Sequence, residues 1–219
     1  MKLNVEPLLH LMDNKVLGYG PKTRFINELL GDEFGLTCVS AGLNRLGYGP
    51  TKVESLVCTQ KKKSGKRLDG WVSAGNRLFQ VEVKSWNSNS LQFETFPRNN
   101  PERASDCRKK NWSIVCQGGL SDAEVVNEHL QKVLIPMRPP SNCVHLQILP
   151  LVCVWFPLHP EGKSEPLFSA KLKATGKEFP ELWFFSVSDF LSSVPETWDI
   201  ALPQVEEKIG LLRSIVGAF

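Results

Sequence analysis

The spacing of apolar positions along the chain sets out a series of elements. Between residues 22 and 46, Phe25, Ile26, Leu29, Leu36 and Leu43 recur at helical intervals and form one apolar stripe. That spacing predicts one long helix, or two broken at Gly31. Residues 52–59 (KVESLVCT) read as a strand. Residues 66–86 then alternate with period two on either side of Ala74-Gly75-Asn76, which predicts a hairpin turning there. Residues 87–119 are rich in Asn, Ser, Pro, Arg and Gly and are expected to be an irregular surface excursion. Ser121 and Glu124 form a capping box for a helix through about Leu134, with Val125, Val126, Leu130 and Val133 on one face. Residues 144–156 are a nearly continuous apolar run that suits a buried strand, with a bend or bulge at Pro150. A further strand is predicted over 182–187, followed by a short helix capped by Ser188. Pro203 opens a last amphipathic helix carrying Ile209, Leu212 and Val216. This order predicts a single α/β domain over 1–219, with a central mixed β-sheet flanked by helices.

Composition narrows the class without naming a function. The chain has 219 residues, of which 42% are hydrophobic and 22% charged, as in ordinary globular domains. No apolar run approaches the ~20 residues needed to span a bilayer. The opening MKLNVEPLLHLMDNK carries acidic residues and lacks a long apolar stretch, which argues against a signal peptide. The cysteines at 38, 58, 107, 116, 143 and 153 form no CxxC pair and stand with no His pair at zinc-finger spacing. Scattered single cysteines of this kind fit a reducing cytoplasm. The pentapeptide LGYGP occurs at 17–21 and again at 46–50. Neither copy leads into a GK[ST] ending, so both read as turns and not as phosphate-cradling loops.

The net charge of +3 says little, but its distribution says more. Lys61, Lys62, Lys63, Lys66 and Arg67 fall in one short window. Arg103, Arg108, Lys109 and Lys110 make a looser second group. Such runs are often plain solvated loops, and they become phosphate contacts only when chemistry lies beside them.

That chemistry is expected in the hairpin. On its second strand Phe79, Val81 and Val83 alternate with Gln80, Glu82 and Lys84, which places Glu82 and Lys84 on one face. On the first strand Leu68, Gly70 and Val72 share the apolar face, leaving Arg67, Asp69 and Trp71 on the other. Folding about Gly75-Asn76 sets Asp69 against Glu82, to within a residue of register. Side chains opposed in this way have Cβ atoms only ~4.5–5.5 Å apart, and an ordinary sheet avoids two carboxylates there. A divalent cation removes that repulsion, because Mg2+ takes a few carboxylate oxygens and keeps several waters. Lys84, one step along the same face, is placed to polarise a water and to stabilise charge developing on a phosphate. The four histidines (10, 129, 145 and 159) are dispersed without metal-ligand spacing. Cys38 and Cys153 read as core residues.

The segment LDG, eleven residues and EVK, preceded by an acidic helix, resembles the PD-(D/E)xK or restriction-endonuclease-like nuclease superfamily over about residues 22–84. Leu68 stands where the motif's name has proline, a position that carries no chemical group of the site. The resemblance implies a restriction-endonuclease-like core. It also implies metal ligation by Asp69, Glu82 and the Val83 carbonyl, with Lys84 at the nucleophilic water. Members commonly add a glutamate from the first helix. Glu33 and Glu28 are the candidates, and Glu33 is favoured because at 100° per residue it lies about 20° from Ile26 and Ser40. The expected activity is Mg2+- or Mn2+-dependent endonuclease cleavage, of DNA in preference to RNA, in restriction, repair or anti-phage defence. Lys61–Arg67 would grip the backbone; sequence choice would come from a partner subunit or be absent altogether, and a homodimer is the other assembly expected. The alternative is a non-catalytic module of the same fold that binds nucleic acid or protein.

Overall fold

In a computed structural model of the chain, the described residues are 1–14, 21–55, 68–84, 94–116, 133, 136–171 and 181–217. The hairpin is present as expected. Strands β3 (Gly70–Ala74) and β4 (Arg77–Lys84) pair antiparallel from Ala74↔Arg77 to Gly70↔Val81. Only Gly75 and Asn76 lie in the turn. Gly75 has φ 57°, and a Cβ there would stand 2.8 Å from the Tyr48 carbonyl oxygen, so both backbone and neighbour demand glycine. Tyr48 belongs to the LGYGP copy at 46–50, which turns the chain out of the long helix α2 (Pro21–Arg45) into strand β2 (Thr51–Ser55). The copy at 17–21 falls almost wholly outside the described residues.

The hairpin and β2 make up half of a six-stranded mixed sheet completed by β5 (Gln147–Val154), β6 (Leu167–Lys171) and β7 (Glu181–Ser186), in the order β2-β3-β4-β5-β7-β6. β4, β5 and β7 run parallel, and the outer pairings are antiparallel. The ladder between β4 and β5 continues through Gln80↔Pro150, so the bend or bulge expected at Pro150 is absent from that ladder. β7 joins only from Leu151 onward, so on that side the missing N–H of Pro150 removes no ladder bond.

Helices cover both faces. On one, Leu36, Val39 and Leu43 of α2 pack with Val72, Phe79, Val81, Leu151, Cys153 and Phe185. Helices α1 (Val5–Asp13) and α4 (Val187–Leu191) extend that core. Burying one such Leu, Val or Phe side chain contributes about 1.5–3 kcal/mol. The other face is covered by α3 (Pro101–Cys116), whose Trp112 and Val115 meet Val152, Val154, Leu182 and Phe184. A small second sheet pairs β1 (Lys2–Asn4) with β8 (Thr197–Asp199), and α5 (Pro203–Val216) closes the described chain.

Other expectations of the fold need correction. Residues 101–116, taken as part of an irregular excursion, form helix α3, with Pro101 opening it and the Asn100 side chain accepting from the Arg103 amide. Its polar composition hides a buried face of Cys107, Arg108, Asn111 and Trp112. The cap of α4 is Ser186, whose hydroxyl accepts from the Asp189 amide, and Ser188 lies inside the helix. Leu68, expected beside Val72, packs with Trp71 and Leu78 on the opposite face. It precedes the strand, where period two does not apply. Trp71 is itself buried, so the side of the hairpin expected to be polar is largely interior. Gln80 is buried there, donating to the Val133 carbonyl at 2.7 Å and accepting from the Met137 amide at 2.9 Å. The helix expected from Ser121 lies, except for Val133, outside the described residues.

Candidate active site

Helix α2 contains a break that decides what it presents to the sheet. Gly31 has φ 54° and ψ −152°, and the helix resumes beyond it in a new phase. Gly35, one turn later, lies against the end of β4. A Cβ on Gly35 would sit 2.7 Å from Val83 Cγ1, so only glycine lets the helix approach this closely. Asp32, about one turn before Gly35, is thereby carried to the end of β4 where Glu82 and Lys84 lie.

Asp69 comes from the opposite side. It stands immediately before β3, and continuing the hairpin register by one step sets it beside Glu82. Its Oδ2 accepts the Val83 amide N–H at 2.6 Å, which fixes the carboxyl against the strand. Lys84 Nζ donates to Glu82 Oε1, forming a half-buried ion pair within β4.

The electrostatics of this cluster are dominated by acids. Burial pushes the Asp69 carboxyl up to about 7, and the nearby charges of Glu82 and Asp32 add to the shift. The Val83 hydrogen bond and Lys84 oppose it. Asp32 is raised by the protein packed around its carboxyl, with Lys84 and Lys208 pulling the other way. Cys153 lies beneath them, its thiol donating towards the Gly35 carbonyl at 3.8 Å. Burial and the Asp69 and Asp32 charges push this thiol well up, so it is inert as a nucleophile.

The structure thus brings Asp69, Glu82, Val83 and Lys84 together, and adds Asp32, which sequence reasoning passed over. It does not bring Glu33 to them. That carboxylate accepts from the amides of Gln204 and Val205, at 3.1 and 2.9 Å, and so caps the N-terminus of α5. The Glu28 side chain and the run Lys61, Lys62, Lys63, Lys66 and Arg67 lie outside the described residues. In the second basic group Arg108 is buried against Asp189, which removes it from any surface role.

The donor set suits a hard divalent cation in kind. Two adjacent carboxylates, one of them pushed up by burial and then by its acidic neighbours, are what such a cation would relieve, and Mg2+ is commonly held by one or two carboxylates with water completing its shell. Among the described residues no three His, Cys, Asp or Glu side chains converge on one ion position, so Asp69 and Glu82 would be the protein's carboxylate share. A cavity of about 570 Å³ lies elsewhere, at the C-terminal end of α2 between Arg45, Phe190 and Trp198. It shares no lining residue with the acids. Among the described residues no helix is long and apolar enough to cross a membrane. The chain matches no family model, no curated protein and no solved structure with which it was compared.

Proposed function

We propose that this chain is a divalent-metal-dependent endonuclease with a restriction-endonuclease-like core. It hydrolyses phosphodiester bonds, of DNA in preference to RNA, at Asp69, Glu82 and Lys84. The observation that carries the reading is the gathering of Asp69, Glu82 and Asp32 with one lysine at the end of β4, where acid outweighs base and the Asp69 carboxyl is pushed up to about 7. Structural sheets avoid such an excess unless a cation or substrate uses it. In this reading Asp32, not Glu33, is the acid contributed by the first long helix.

Each residue has a task. Asp69, oriented by the Val83 amide, and Glu82 would hold the Mg2+ or Mn2+, with the Val83 carbonyl as a further oxygen. A bound divalent ion supplies Lewis-acid polarisation of the phosphate and a more acidic attacking water. Lys84, held along β4 beside Glu82, donates to that water or to a phosphate oxygen on which charge develops. Lys61, Lys62, Lys63, Lys66 and Arg67, which lead directly into Leu68 and Asp69, hold the nucleic-acid backbone. Restriction, repair and anti-phage defence are the roles such an activity would serve.

The test is cleavage of plasmid and single-stranded DNA with Mg2+, Mn2+ or EDTA by wild type, Glu82→Ala, Lys84→Ala and Asp32→Asn. Cutting should require metal and fall by about 100-fold or more in the Glu82 and Lys84 variants. Asp32→Asn should reduce it while leaving the thermal midpoint near wild type. DNA binding without cutting in any metal would replace this reading with a non-catalytic nucleic-acid-binding module.

A further inference from the structure

The far end of α2 borders the cavity between Arg45, Phe190 and Trp198, well away from the acids. Asp32 and Arg45 lie 13 residues apart on one unbroken stretch of that helix, a separation of about 20 Å. The cavity's volume of about 570 Å³ falls within the ~300–1,000 Å³ of pockets that enclose small organic ligands. One wall is aromatic. Trp198 of β8 meets Phe190 of α4 edge to face, with 5.4 Å between ring centroids and 74° between planes, which fixes the plane of the indole.

The rim is rich in donors that the protein itself does not use. Among the described residues the Arg45 guanidinium has no hydrogen bond, ion pair or ring contact, and the Asn44 side-chain amide has no hydrogen bond. Ser40 donates to the Thr51 hydroxyl at 3.0 Å, which leaves the Thr51 proton for another acceptor. The one acid in the lining, Asp199, follows Trp198 in β8 and projects from the other side of that strand. An anion at Arg45 does not meet bare helix carbonyls either, because those of Gly42, Leu43 and Asn44 accept from the amides of Leu46, Tyr48 and Gly47.

We infer that this cavity binds a nucleoside monophosphate, with its phosphate on Arg45 and Asn44 and its base against Trp198. A guanidinium whose donors are unspent within the protein selects an oxyanion that accepts two of them in parallel. The aromatic wall selects a planar ring that stacks. A bare oxyanion would leave that wall idle, and an uncharged aromatic would leave the guanidinium idle; a nucleotide uses both. The cavity shares no residue with Asp69, Glu82 and Lys84, so the inference holds whether or not the chain cuts nucleic acid.

The test is calorimetric titration of the full chain with adenosine, guanosine, cytidine and uridine monophosphates, their nucleosides and inorganic phosphate. EDTA keeps divalent metal off the acid cluster. At least one monophosphate should bind, about tenfold or more tightly than its nucleoside or free phosphate. Arg45→Ala should bring the monophosphate down to the nucleoside's affinity with the thermal midpoint near wild type, and Arg45→Lys should restore part of the difference. Trp198→Leu, which keeps apolar bulk beside Phe190, should weaken the monophosphate by about tenfold and leave its advantage over the nucleoside in place. Glu82→Ala should bind as wild type does. The inference is overturned if no monophosphate binds at millimolar concentration, if Arg45→Ala keeps the phosphate's advantage, if free phosphate binds as tightly as the nucleotide, or if Glu82→Ala removes binding. Should Trp198→Leu fail to fold, the Arg45 variants decide alone.

Discussion

At the scale of single residues, Asp69 and the neighbours Asp32 and Glu33 carry most of the meaning. The folded Asp69 holds its proton to about pH 7, whereas an unfolded aspartate releases it near 3.8. Between those values the native state binds the proton more strongly than the unfolded chain does. Stability is therefore fully present below pH 4 and falls as pH rises through 7. Asp69→Asn should remove that loss: between pH 5 and 8 without divalent metal, its urea midpoint should fall less than that of wild type. Adding Mg2+ at pH 8 should recover stability in wild type and not in the variant. The exchange of Glu33 for Asp32 also has a residue-scale cause. A phase counted at 100° per residue from Ile26 runs through Gly31, and Gly31 is not helical. Every residue after it is turned from the position the count assigns. The sequence marks the break with a glycine but does not say how far the helix rotates there.

Elements were legible where local chemistry alone shapes them. The hairpin follows from a two-residue turn that only glycine can make against Tyr48, together with strict alternation of Phe79, Val81 and Val83. Its register, and with it the meeting of Asp69 and Glu82, could therefore be read in advance. Helix α3 could not, because its inner face is polar. Arg108 is buried only because it meets Asp189, 81 residues away, and Asn111 because it donates to the Pro157 carbonyl at 2.6 Å. No periodicity of apolar residues announces such a face. The approach of α2 to β4 rests on Gly35, again a matter of one element meeting another. Gly35→Ala would drive a methyl group into Val83 and should destabilise the fold by about 1–3 kcal/mol. Because it separates Asp32 from Asp69, it should also reduce cleavage more than its stability loss explains. Chemical denaturation and specific activity of the folded fraction measure the two effects.

At the scale of the whole molecule, two arginines, Arg108 buried and Arg98 half-buried, fasten the pieces around the sheet. Arg108 of α3 pairs with Asp189 of α4 at 2.7 Å and reaches Ser164 at 3.1 Å. Arg98 binds Asp13 of α1 and the Ser188 hydroxyl. The ring of Phe96 lies against both guanidinium groups, at 5.1 and 5.2 Å from its centroid. Removing one partner leaves the other charged and without water, so Asp189→Asn should cost about 3–5 kcal/mol. A paired replacement of Arg108 and Asp189 by apolar residues of similar size should cost far less. Denaturant midpoints of the single and double variants would distinguish the two.

The pairing of β1 with β8 joins residues 2–4 to residues 197–199, and Leu3 and Val5 are buried by that closure. Contacts so distant in sequence form late, because the loop between them must close first. On the ribosome the first strand therefore waits, apolar side chains uncovered, until nearly 200 residues have been made.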